Sequence, residues 1–136
     1  MPSTVHEMSP KEVLKRVGEP GASGEKMAQT AKAIAETAGS LFGEVAIEPR
    51  RFPPNTDAIA LFVIQEVRAR FLGIIPTTKK RVLVVLQDRS WWASQEIGCT
   101  ILEPKLLEIS NNLVKKLAND LNVSPAIVNG PEPLWI

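Results

Sequence analysis

Few residues of this chain have the types and spacing that chemistry requires. Gly18, Gly21 and Gly24 ahead of Lys26 have the look of a phosphate-binding loop. Such a loop needs a strand before it, to aim backbone amides at phosphate, and a Ser or Thr directly after the lysine. Here a helix start precedes the run, Glu25 intrudes and Met27 takes the hydroxyl position, so an ordinary turn is expected. His6 is the only histidine, which removes His-based triads and histidine-rich metal sites. Cys99 alternates with Ile97 and Ile101, the pattern of a strand whose thiol faces a core. No catalytic residue, metal ligand or cofactor is assigned on these grounds.

Two further patterns carry weak chemistry. Removal of Met1 would expose Pro2, whose secondary amine serves as a general base when desolvation and nearby cations lower its pKa. Pro2 opens a polar segment, however, with no apolar strand to hold it in a pocket, so an N-terminal-proline enzyme of the tautomerase type is kept only as an alternative. The stretch from Leu117 to Asn129 has the cadence of a helix-turn-helix, but its second helix would stop at Gly130 and Pro131 and carries no base-reading Arg, Lys or Gln. A helix-to-strand connection explains it better.

The residues suited to binding lie in the middle of the chain. Residues 50–89 hold eight basic side chains (Arg50, Arg51, Arg68, Arg70, Lys79, Lys80, Arg81, Arg89) against three acidic ones, while the whole chain carries a net charge of only +1. Such a block attracts an anionic ligand, a nucleic acid or the acidic face of a partner. Trp91 and Trp92 follow on the connection after the strand that ends near Leu86, and Trp with Arg is enriched at binding hot spots. The tail Leu134, Trp135 and Ile136 is apolar. The candidate binding residues are therefore Arg50, Arg51, Lys79, Lys80, Arg81, Arg89, Trp91, Trp92 and Trp135.

The elements that must position these residues follow from periodicity. Ser9, Pro10 and Glu12 read as the start of a short helix, and Ser23 with Glu25 as the start of a second. Met27, Ala31, Ile34, Ala38 and Leu41 fall on one face of that second helix. Val45 and Ile47 mark a short strand, and Asn55 or Thr56 caps an expected helix that reaches Leu72 and stops at Gly73, although the β-branched start of that segment also suits a strand. Arg81–Leu86 is a buried strand, Ile97–Ile101 its partner, and Glu103 with Pro104 opens a helix whose Leu106, Ile109, Leu113, Leu117 and Leu121 face inward. Ala126–Val128 is a last short strand.

In order, residues 44–128 read βαββαβ, which predicts an α+β ferredoxin-like two-layer sandwich preceded by two N-terminal helices. At 136 residues a single domain is expected, with residues 1–43 as a helical extension and 44–136 as the core with its apolar tail. No apolar run approaches the roughly 18 residues of a bilayer span, so no membrane partner is expected. The start lacks a secretory pattern and one cysteine signals no oxidising compartment, so the cytoplasm is expected. The functional expectation is a non-enzymatic association domain, a homo-oligomer or partner-binding subunit that uses the Trp91–Trp92 loop and the C-terminal tail. Anion or nucleic-acid binding through the basic middle is the first alternative, and the Pro2 enzyme the second.

Overall fold

The computed structural model describes residues 22–51, 59–88, 95–130 and 134–136. Helix α1 (Ala22–Phe42) leads into strands β1 (Val45–Arg51), β2 (Ile59–Phe71), β3 (Ile75–Asp88) and β4 (Glu96–Ile101). A 3-10 turn (Pro104–Leu106) then opens α2 (Leu107–Asp120), followed by β5 (Ser124–Asn129) and the two-residue β6 (Leu134–Trp135). The strands form one sheet in the order β1-β2-β3-β4-β5, with β6 also on β3. Neighbours are antiparallel except β4 and β5, which are parallel and joined through α2. The α+β class is as expected, and both helices pack on the same face of the sheet, an arrangement compatible with a two-layer sandwich. Residues 59–71 of the helix expected from Asn55 or Thr56 to Leu72 are instead the long strand β2 (Ile59–Phe71), so the described elements run αββββαββ and strand stands where the first helix of the βαββαβ pattern is expected. The short helix expected from Ser9 lies outside the described residues.

The helix stripe read from spacing packs as the core. Met27, Ala31, Ile34 and Ala38 are buried against Leu61, Val63, Leu83, Leu86, Ile97 and Cys99. Alanines at two of those four helix positions let the backbone of α1 approach the sheet closely, and Leu106, Val114 and Leu117 extend the same core beneath α2. Helix α2 ends where Asn122 takes a left-handed φ of +57°. There the amides of Asn122 and Val123 donate to the carbonyls of Asn119 and Ala118, at 3.1 and 2.9 Å, which satisfies two of the last carbonyls of the helix.

A bulge organises the centre of the sheet. Val63 pairs with Val84 and Ile64 with Val82, which leaves Leu83 as an extra residue on β3. Leu83 and Val84 consequently face the same core although they are adjacent in sequence. The displaced carbonyl of Leu83 accepts from the amides of Leu102 and Glu103, at 2.8 and 3.2 Å. Beyond that point β4 has left β3, and β6 takes its place opposite Arg81 and Val82.

Candidate functional site

The unusual feature of the molecule is the length of the β2–β3 hairpin. Its pairing runs from Ala60 opposite Gln87 to Phe71 opposite Ile75. On one side β1 covers β2 only from Ile59 to Gln65, with one further bond from the Glu66 amide to the Glu44 carbonyl. On the other side β6 covers Arg81 and Val82, and the Ile136 amide donates to the Lys80 carbonyl at 2.9 Å. The ribbon Val67–Phe71 and Ile75–Lys79 therefore extends past the rest of the sheet as an arm.

Period-two alternation sorts the side chains of the arm. Arg68 and Arg70 share one face with Thr78 and Pro76, opposite which they pair, and these four residues together with Thr77 between them line a cleft. Lys79 lies on the other face and is exposed. At the tip, Leu72, Ile74 and Ile75 are 77%, 79% and 54% exposed. Leu72 has φ +55° and Gly73 φ +73°. Gly73 meets that requirement without cost, whereas a leucine in the left-handed region carries strain on the order of 1–2 kcal/mol. An apolar residue is kept at the apex where Gly or Asn would be easier.

The β3 edge of the arm is guarded. The Lys80 carbonyl points away from β2, toward Ile136, so by alternation the backbone groups of Thr78 and Pro76 point the same way. Pro76 has no N–H to offer there, which blunts the edge against a further strand. The tip, the faces and the β2 edge beyond Glu66 remain for contact.

Three of the eight basic residues of the block, Arg50, Lys80 and Arg81, are committed to carboxylates. Lys80 Nζ lies 2.6 Å from Glu48 Oε1, and Arg50 Nη2 lies 3.0 Å from Glu48 Oε2. Arg50 also stands 5.8 Å above the Phe62 ring, within cation–π range. Burial raises the Glu48 pKa, but the hydrogen bonds and charges of Lys80 and Arg50 outweigh it, and the carboxyl is held below its ordinary value. Arg81 pairs with the mostly buried Glu103 and reaches Gln65 Oε1 at 3.5 Å. Arg68 meets Glu44 at 3.4 Å, but both side chains are well exposed and such a pair contributes little. Arg51 is the last residue of β1. Arg89, Trp91 and Trp92, like Pro2, lie outside the described residues. Trp135 sits opposite Arg81 on β6 and is half-exposed between the partly exposed Leu134 and Ile136.

Cys99 is buried and its thiol is pushed up to about 12 by burial, so it holds its proton at neutral pH and is no nucleophile. Among the described residues no group of His, Cys, Asp and Glu is placed to hold a metal ion. The arrangement suits contact. Comparison with protein-family models, with curated proteins and with solved structures gives no match.

Arg68, Arg70, Leu72, Ile74 and Ile75 are not among the candidate binding residues that composition and motif single out. A signal for them exists: from Gln65 to Phe71 the chain alternates, with Val67, Ala69 and Phe71 against Glu66, Arg68 and Arg70. That period-two run into Gly73, followed by the β-forming Ile75, Thr77 and Thr78, is the mark of a hairpin.

Proposed function

We propose that this chain is a non-enzymatic association module whose contact element is the β2–β3 arm, with the C-terminal strand as a second surface through which copies assemble. The observation that supports it is the set of adjacent aliphatic side chains at the tip, Leu72, Ile74 and Ile75, exposed on a projecting ribbon with Leu72 at a strained φ. The half-exposed Leu134, Trp135 and Ile136 add an apolar strip on the edge of β3 at the root of the same arm. Trp91 and Trp92 remain part of this reading as partner anchors. Light scattering at micromolar concentration tests the assembly. The expected mass is at least twice 14.9 kDa, and deletion of Leu134–Ile136 lowers it. A protein that stays at 14.9 kDa, with or without its tail, overturns self-association.

A second reading, binding of a nucleic acid or other polyanion, draws on Arg68, Arg70 and Lys79. Arg50, Lys80 and Arg81 are paired with carboxylates, so this reading has fewer cations than the sequence block suggested.

A further inference from the structure

We infer that the arm docks the protein on an anionic phospholipid surface, with Leu72, Ile74 and Ile75 at the headgroup–acyl boundary and Arg68, Arg70 and Lys79 among the phosphates. This rests on the proposed role of the arm as the contact element, and it names the partner. Among the described residues no helix is long and apolar enough to cross a membrane. Peripheral docking needs none. It requires an apolar group that enters the interface and cations that stay at its surface, and the two signals together hold where either alone is marginal.

The spacing of the arm fits that requirement. Strand residues rise about 3.4 Å each, so Arg70 stands roughly 7 Å and Arg68 roughly 14 Å behind the apex at Leu72. A tip sunk about 5–10 Å, the depth of interfacial apolar groups, sets Arg70 at the headgroups with Arg68 just behind. The cleft between Arg68, Arg70 and Thr78 offers guanidinium and hydroxyl donors to phosphate oxygens. Each cation held near an anionic surface strengthens binding about fivefold.

Three observations favour this occupant over others. A second copy brings a second basic arm, and like charges on paired ribbons oppose each other, while Pro76 removes a donor from one of the arm's two edges. A nucleic acid is held by many phosphate contacts, on the order of 6–10 in salt-sensitive binders, whereas Lys80 and Arg81 at the arm's root are already committed to Glu48 and Glu103. The tip is convex and aliphatic, and a fluid bilayer accepts such a shape without a matching pocket.

Co-sedimentation of the full chain with vesicles tests this, using phosphatidylcholine alone and phosphatidylcholine mixed with phosphatidylserine. The expected result is binding to the mixed vesicles, weak binding to phosphatidylcholine, and release by salt. Arg68→Gln with Arg70→Gln should reduce partitioning roughly 25-fold. Leu72→Asn with Ile74→Ser should abolish it, with melting temperatures unchanged or higher as evidence that the variants fold. Failure of the wild type to bind the mixed vesicles overturns the inference, as does binding indifferent to the tip variant. Tighter binding to DNA than to vesicles, insensitive to the tip, overturns it in favour of a polyanion. Because assembly is read separately by light scattering on the tail deletion, loss of vesicle binding with assembly intact removes this inference and leaves the association module standing.

Discussion

Arg81 on β3 forms an ion pair with Glu103, the residue at which the chain leaves β4 and turns into the 3-10 helix. Glu103 also accepts from the Lys105 amide at 3.2 Å, so one carboxylate caps that turn and fastens it to the sheet. Removing either partner leaves the other charge mostly shielded from water. Arg81→Met or Glu103→Gln should therefore cost about 1–3 kcal/mol, measured by urea unfolding, with the double variant less damaging than the sum.

Lys79 and Lys80 are neighbours with different work. Lys80 shares Glu48 with Arg50, whereas Lys79 is exposed on the arm. Lys80→Ala should cost about 1 kcal/mol, and Lys79→Ala should fall within roughly ±0.5 kcal/mol. Equal losses from the two would contradict the geometry.

Glu48 gives the pair a pH dependence. Its folded pKa lies below the ordinary value of 4.5, so the carboxylate stabilises the fold fully above about pH 4.5 and progressively less as pH falls through the lower folded value. The gap in melting temperature between wild type and Glu48→Gln should be constant from neutral pH down to about 5 and should narrow below 4.5. A gap that widens in acid has the wrong sign for this arrangement.

Leu72 sets stability against contact. Replacement by Asn or Gly relieves the positive φ, so it should raise stability by about 0.5–1 kcal/mol and weaken association through the arm. A loss of stability would mean that the leucine packs, contrary to its exposure.

Cys99 is a packing residue. A bulky thiol reagent should leave it unmodified in the native state, even in mildly alkaline buffer, and modify it on unfolding. Cys99→Ala should cost about 1 kcal/mol with assembly unchanged.

The parts of this fold that could be read in advance are those where one period dominates. The stripe of α1, the inward leucines of α2, and the alternation of Ile97, Cys99 and Ile101 all bury one face, and a buried face repeats at the pitch of its element. The start of β2 did not show itself because its two faces are both buried: Leu61 and Val63 join one core, Ala60, Phe62 and Ile64 the other. A segment buried on both sides has no alternation, and its apolar run is as consistent with helix as with strand. Charge was the other limit. Composition located the basic block, but pairing across the sheet decided that Lys80 and Arg50 belong to Glu48 and Arg81 to Glu103, while Arg70 and Lys79 reach solvent. Which strand end outruns its neighbours is likewise a matter of register. Only the assembled sheet, with β1 and β6 stopping short, turned residues 67–79 into an arm.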